Sequence, residues 1–333
     1  MDLPDHYKAY LVTKDNENHA SASIVDRPFD DLPKGEVVIK VAYSSLNYKD
    51  ALSATGNPGV TKNYPHVPGI DAAGVVIASE SRQFQVNDKV LVTGYDLGSN
   101  TDGGYAEYIR VPADWIVPLP DKLSLKESMI YGTAGFTAAI CIKQLQRNGV
   151  RPEQGAIVVS GATGGVGCMA VAILAKEGYT VVASTGKADA HEFLKELGAT
   201  RIISREELND QSNRPLLKST YAGAVDTVGG NVLATIVKSI QVQGSVAACG
   251  VVAGSKLDLT VFPFILRGVN LLGADSALWP MGPRREIWHK LATDWKFDKL
   301  ASVAQMISLE QLDQHIAKIL KGQITGRVIV TLE

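Results

Sequence analysis

Cysteine is scarce in this chain, with three residues in 333: Cys141, Cys168 and Cys249. Their wide spacing gives neither a disulfide framework nor a zinc knuckle, and it points to a reducing compartment. No charge sign dominates. The 33 Lys and Arg stand against 35 Asp and Glu, a formal net charge of −2. No general field therefore draws nucleic acid or an anionic membrane, and any anion site must be local. No apolar run approaches bilayer length. The start, Met1-Asp2-Leu3-Pro4-Asp5, is acidic with no apolar core behind a basic end, so no secretory signal is expected. These absences together predict a cytoplasmic protein. What remains, 45% hydrophobic and 20% charged residues, suits a soluble globular chain long enough for two domains.

The stretch from Gly155 to Lys187 organises the rest. Ala156-Ile157-Val158-Val159-Ser160 has the length and β-branched content of a buried strand. GATGGVG follows from Gly161 to Gly167, then CMAVAILAKEGY at helical spacing, then a second buried strand, Thr180 to Ala183. That order is the βαβ context of a dinucleotide fingerprint, with Ala162, Gly164 and Gly167 at its three positions. Gly164 has no Cβ to block a pyrophosphate. Gly167 lets the helix lie close on the strand. The helix start, with Thr163, Gly165 and Val166 around it, offers N–H groups and positive dipole charge to phosphate.

The end of the second strand selects the cofactor. An NAD site carries Asp or Glu there to accept from the ribose 2′-OH. This chain reads Ser184-Thr185-Gly186-Lys187, whose hydroxyls, backbone N–H and ammonium suit a 2′-phosphate instead. Arg201, at the start of the next short strand, is either a second cation for that phosphate or a solvated surface charge. The expected cofactor is NADP(H).

Before this stretch the chain reads as β-rich. Strands are expected at Tyr7 to Val12, Glu36 to Ser44, Val75 to Ala78 and Lys89 to Val92, densely punctuated by Gly, Pro and Asn. A partly barrel-like antiparallel domain is predicted. Near Leu125 the texture turns helical, with Ser124 and Glu127 as a capping box and a break between Gly132 and Gly135. Beyond Lys187, strands near Ile203, Val225, Val246 and Leu271 alternate with helical segments, the pattern of a doubly wound parallel sheet. An amphipathic helix from Leu309 to Lys321 and a strand from Arg327 to Leu332 close the chain.

SSLNYKDAL, YPHVPGIDAAGVV, GGYAEY, GTAGFTA and GATGGVG together resemble the medium-chain dehydrogenase/reductase family. The resemblance is to its zinc-free quinone oxidoreductase branch, and FPFILRGV and GQITGRVIV are similar to the acrylyl-CoA reductase-like subgroup. It implies an α/β protein in which a doubly wound Rossmann domain (127–276) is inserted into a β-rich, GroES-like catalytic domain (1–126 and 277–333). It also implies a homodimer joined near Leu271. In zinc-dependent relatives a Cys, a His and a second Cys hold the metal; the matching positions here are Asn47, Ile70 and Thr133, so no metal is expected.

Without a metal, hydride delivery to an already electrophilic carbon is the accessible chemistry, and quinones and α,β-unsaturated carbonyls such as acrylyl-CoA qualify. Tyr48 and Asn47 are the candidate hydrogen-bond donors. The alternative for this pair is a helix cap and packing. Asp71 is expected to orient Tyr48 or Lys49, or to form a structural ion pair. By resemblance, Thr137, Gly250, Val251, Phe264, Ile265, Asp275, Ser276 and Arg327 complete the cofactor site, Arg327 being equally readable as a surface salt bridge. Arg284-Arg285 and Lys62 are available for the phosphates of a CoA thioester. Two rival readings are a non-catalytic NADPH- or RNA-binding protein that kept the fold, and an alcohol dehydrogenase, which the missing ligands disfavour.

Overall fold

A computed structural model describes residues 3–332. It divides into two compact units. One comprises Met1–Thr133, Ala277–Thr293 and Leu300–Glu333; the other comprises Ala134–Ser276 and Asp294–Lys299. The short segment Asp294–Lys299 thus groups with the second unit, although the sequence reading gave it to the first.

The N-terminal part of the first unit contains strands β1 (His6–Lys14), β2 (Ala20–Pro28) and β3 (Val37–Leu46), then helix α1 (Tyr48–Ala54). Strands β4 (Asp71–Ser79), β5 (Lys89–Thr93), β6 (Tyr108–Val111) and β7 (Ile116–Pro118) follow, and helix α2 (Leu125–Arg147) begins next. Ser124 and Glu127 close the expected capping box at the start of α2: Glu127 accepts from the Ser124 N–H at 2.9 Å, and the Glu127 N–H donates to Ser124 Oγ at 3.1 Å.

The second unit holds β8 (Ile157–Val159), α3 (Gly165–Lys176), β9 (Val181–Ser184) and α4 (His191–Glu196). It continues with β10 (Arg201–Ile203), β11 (Tyr221–Asp226), α5 (Gly230–Lys238), β12 (Ile240–Ala248), α6 (Phe262–Arg267) and β13 (Asn270–Gly273). These strands form one parallel sheet in the order β10-β9-β8-β11-β12-β13. The order reverses beside β8, and that switch point is where a doubly wound sheet opens a crevice at its strand ends. Val158, Val182, Ala224, Ile236 and Val246 are among the buried residues of its core. β13 is the last strand, as the apolar run near Leu271 led one to expect, and it lies at an edge of the sheet.

The chain closes through α7 (Met281–Ala292), β14 (Ala304–Ile307), α8 (Leu312–Leu320) and β15 (Arg327–Thr331). Strand β15 joins the N-terminal sheet, which runs β14-β15-β3-β4-β5-β7 with β6 also on β3. All its pairings are antiparallel except β14 with β15. Because β3 is antiparallel to both neighbours, its last residues lie beside the first residues of β15 and β4. That register gathers Ser45, Arg327 and Asp71.

Candidate functional site

In the first unit, Asp71 is the hub of a buried polar cluster. It opens β4 and is fully buried. Its Oδ2 accepts from Ser45 Oγ at 2.6 Å, Asn47 Nδ2 at 2.8 Å and the Thr133 N–H at 2.9 Å. Its Oδ1 accepts from Thr133 Oγ1 at 2.6 Å. Arg327, read from the sequence either as a cofactor contact by resemblance or as a surface salt bridge, does not lie at the surface. It is buried and donates to Ile130 O at 3.0 Å, Leu46 O at 3.2 Å, Asn47 Oδ1 at 3.1 Å and Ser45 Oγ at 2.7 Å. Its Nη2 lies 4.0 Å from Asp71 Oδ2. A buried ion pair persists only when hydrogen bonds satisfy its remaining atoms, and this one is so furnished.

Gly132 admits this arrangement. Its φ of 50° and ψ of −157° interrupt α2. A Cβ there would stand 2.6 Å from Asp71 Oδ2 and 2.8 Å from both Arg327 Nη2 and Ser45 Oγ. The helix break that the sequence placed here therefore serves the carboxylate and guanidinium.

Asn47 caps α1, and both ends of its amide are engaged, the oxygen by Arg327 and the nitrogen by Asp71. This corrects the expectation that Asn47 is a spare donor: its amide fixes the cluster. Asp71 likewise faces Ser45, Asn47, Thr133 and Arg327 rather than orienting Tyr48 or Lys49. Tyr48 is half-buried at the start of α1, and among the described residues its hydroxyl has no hydrogen-bond partner. Asp50, three residues on, was missed. It is fully buried and accepts from the Ile70 and Asn47 N–H groups, each at 2.8 Å. Burial, reinforced by the Asp71 charge, pushes its carboxyl up to about 7. Ser45 was also missed; a serine ending an apolar strand carries no functional mark until β15 and β4 are laid beside it.

The positions matched to zinc ligands, Asn47, Ile70 and Thr133, carry an amide, an alkyl group and a hydroxyl. Among the described residues no group of three or more His, Cys, Asp or Glu is placed to hold a metal ion. Arg284 is corrected as a phosphate ligand. It is fully buried, donates to Thr93 O at 2.7 Å and Ala277 O at 3.0 Å, and stacks on Tyr95. Arg285 and Lys62 are exposed.

In the second unit the glycine turn joins β8 to α3 as the fingerprint required. A Cβ on Gly167 would overlap Gly161 O and stand 2.7 Å from Ala162 Cα, so only glycine allows this helix-to-turn approach. Gly164, Gly165 and Val166 are half-buried, leaving the helix start accessible, and Thr163 is buried with Oγ1 3.5 Å from Thr185 Oγ1. The first N–H groups of a helix lack intrahelical acceptors, so this turn fits a pyrophosphate.

At the end of β9, Ser184 and Thr185 are buried, Gly186 is exposed, and the Lys187 N–H donates to Thr185 Oγ1 at 3.0 Å. Partial burial lowers the Lys187 ammonium pKa, the Asp189 charge works against this, and the Arg205 charge adds to the lowering. Arg201 is otherwise engaged, in an exposed ion pair with Glu207 at 3.0 Å. The cation facing this loop is Arg205, whose Nη2 would be 2.8 Å from a Cβ on Gly186. Its sequence sign was faint: one arginine, two residues past β10. Two like charges beside two hydroxyls, with no carboxylate at the strand end, form an anion subsite that fits a 2′-phosphate.

The other expected cofactor residues lie in the second unit. Thr137 is buried on α2; Gly250 and Val251 follow β12, Val251 being 64% exposed. Phe264 and Ile265 are on α6, Ile265 being 68% exposed, and Asp275 and Ser276 follow β13.

Two family profiles match the chain: the alcohol dehydrogenase GroES-like domain over residues 33–121 and the zinc-binding dehydrogenase over residues 165–292. The chain is 48% identical to the "Putative quinone oxidoreductase YhfP" of Bacillus subtilis, covering 97% of this chain and 98% of the relative. It is 44% identical to the acrylyl-CoA reductase AcuI of Ruegeria pomeroyi, with the same coverage of each. Its fold superposes on the yhdH oxidoreductase of Salmonella enterica, solved in complex with NADP. The TM-score is 0.95 at 44% identity, over 98% of this chain and 100% of that one. The Bacillus subtilis yhfP structure, solved with NAD bound, gives a TM-score of 0.95 at 47% identity over 98% and 100%. The chain belongs to the medium-chain dehydrogenase/reductase family, alongside its quinone oxidoreductase and acrylyl-CoA reductase members.

Proposed function

We propose that this chain is an NADPH-dependent reductase that works without zinc on electron-poor acceptors: quinones, or the C=C of α,β-unsaturated carbonyls such as acrylyl-CoA. The observation that carries this reading is the side-chain set around Asp71. Where a zinc enzyme needs thiolate and imidazole, Asn47 and Thr133 are hydrogen-bonded to Asp71 and Ile70 is apolar. Bound NADPH supplies the hydride. Ser184, Thr185, Lys187 and Arg205 bind the 2′-phosphate, and the start of α3 binds the pyrophosphate. Asp71, Asn47 and Arg327 are positioning residues that hold the end of β3 and the start of α1. Tyr48, its hydroxyl unengaged among the described residues, is the donor to the acceptor's developing oxyanion.

The names of relatives support both acceptor classes, and the absence of a strand-end carboxylate supports NADPH over NADH. The chain is further proposed to act as a homodimer through β13, an edge strand whose Leu271 is 37% exposed. Neither an alcohol dehydrogenase nor a non-catalytic protein is favoured by these relatives.

The test is steady-state oxidation of NADPH and NADH with acrylyl-CoA, a naphthoquinone and an aldehyde, before and after dialysis against a chelator with metal analysis. Turnover with the first two acceptors, preference for NADPH and indifference to chelation are expected. Activity lost on chelation and restored by zinc would defeat the reading.

A further inference from the structure

Asp226 ends β11 and is fully buried. Ser160 Oγ donates to its Oδ1 at 2.6 Å, and the Gly229 N–H donates to its Oδ2 at 2.8 Å. Ser160 directly follows β8 and precedes the glycine turn at Gly161. Thr227 holds it as well: the Thr227 N–H donates to Ser160 Oγ at 3.0 Å, and Thr227 Oγ1 donates to Ser160 O at 2.9 Å. Burial pushes the Asp226 carboxyl pKa up, and the bonds from Ser160 and Gly229 oppose the rise.

The same segment also reaches the loop after β12. The Cys249 N–H donates to Asp226 O at 2.9 Å, and the Ala253 N–H donates to Val228 O at 2.8 Å. Packing there leaves no slack. A Cβ on Gly250 would overlap Thr227 O. One on Gly229, whose φ is 76°, would stand 2.8 Å from both Gly250 O and Gly254 O. Sheet geometry says what passes over this turn. All six strands are parallel, so the ends of β9, β8, β11 and β12 share one edge, in that order. The 2′-phosphate subsite lies at the end of β9 and the pyrophosphate turn at the end of β8. A dinucleotide laid along this edge carries its nicotinamide half onward, past the ends of β11 and β12.

We propose that Asp226 is a positioning residue for the nicotinamide half of the cofactor. Braced on Ser160, its carboxylate holds Gly229, and Gly229 in turn fixes the Gly250–Val251 loop against which the ring lies. This rests on the cofactor reading given above. Removing the carboxylate leaves the Gly229 N–H without its acceptor and frees that loop. The glycine turn keeps separate anchors, the Ser160 N–H on Val225 O at 3.1 Å and the Ala162 N–H on Ser184 O at 3.0 Å. The effect is therefore confined to the half of the cofactor that reacts.

Asp226→Ala in the full chain is compared with wild type in two measurements. Calorimetric titration with 2′-phospho-ADP-ribose, which lacks the nicotinamide, reads the adenosine half. The single-turnover rate of NADPH oxidation by a naphthoquinone, taken per bound cofactor, reads the reacting half. The Kd for 2′-phospho-ADP-ribose should stay within about threefold of wild type. The hydride-transfer rate should fall about tenfold or more, the cost of displacement on the ångström scale. Asp226→Asn should recover most of that loss, because its amide oxygen can accept from Gly229 while its NH2 group donates to Ser160 Oγ. Ser160→Ala removes the brace and keeps the carboxylate; it should lower the rate by a smaller factor, and it decides the matter if Asp226→Ala does not fold. A parallel loss in both measurements, an unchanged hydride-transfer rate, or an Asn variant no better than Ala would overturn the proposal. Wild-type protein that binds neither 2′-phospho-ADP-ribose nor NADPH would instead refute the cofactor reading, and the proposal with it.

Discussion

Replacing Gly132 with alanine tests whether the Asp71–Arg327 cluster is as tightly built as its distances say. Two costs add. The backbone at φ 50° and ψ −157° is one that only glycine adopts freely, and forcing a side chain into it costs about 1–3 kcal/mol. The new methyl would also stand 2.6–2.8 Å from Asp71 Oδ2, Arg327 Nη2 and Ser45 Oγ. None of the three side chains has a solvent route by which to yield, since all are buried. Overpacking of that kind costs about 1–3 kcal/mol, so the sum is about 4 kcal/mol.

Tryptophan fluorescence during urea unfolding suits the measurement, because Trp115, Trp279 and Trp288 lie in the first unit and Trp295 in the second. With a denaturant slope of about 3 kcal/mol per molar, the first-unit midpoint should fall by roughly 1 M or more. Activity should fall with it, since α2 and α1 are tied through this cluster. A loss below about 1 kcal/mol would mean that the cluster relaxes easily, and the positioning role given to Asp71 would fail with it.

Asp71→Asn removes the counter-charge of a buried guanidinium and should cost about 3 kcal/mol in the same assay; stability within about 0.5 kcal/mol of the parent would refute the pairing. Asp50 has a carboxyl raised above its unfolded value, so the native state binds more protons than the unfolded state between about pH 4 and about pH 7. Stability should therefore decline as pH rises through that window, and Asp50→Asn should flatten the decline; an unchanged slope in urea midpoints across that range would remove Asp50 as its source. Arg205→Ala and Lys187→Ala should each raise the KM for NADPH about tenfold while leaving NADH little affected. Arg201→Ala, whose partner is Glu207, should do neither, and the opposite ranking of Arg201 and Arg205 would overturn the subsite.

Several elements escaped the sequence for identifiable reasons. Strand β2, ASASIVDRP, is largely polar and half-exposed, so no apolar alternation marks it; pairing with β1 along its whole length makes it a strand. Helix α7 carries Gly282 and Pro283, residues that usually punctuate loops, yet both sit in its first turn, where a missing N–H costs nothing. Strand β14 has only four residues at a sheet edge.

The βαβ turn, the parallel sheet and the missing strand-end carboxylate could all be read in sequence, because short-range backbone chemistry and periodicity govern them. The partners of Asp71 could not. Ser45, Asn47, Thr133 and Arg327 are scattered from one end of the chain to the other. Only antiparallel pairing of β15, β3 and β4, with α2 broken at Gly132, brings them to one carboxylate. The same holds for the exchange of Arg201 for Arg205: Arg201 opens β10 and Arg205 lies two residues past its end, and only the folded loop shows that Glu207 takes one while Gly186 faces the other. Local sequence fixes which groups are available, and long-range register decides which of them meet.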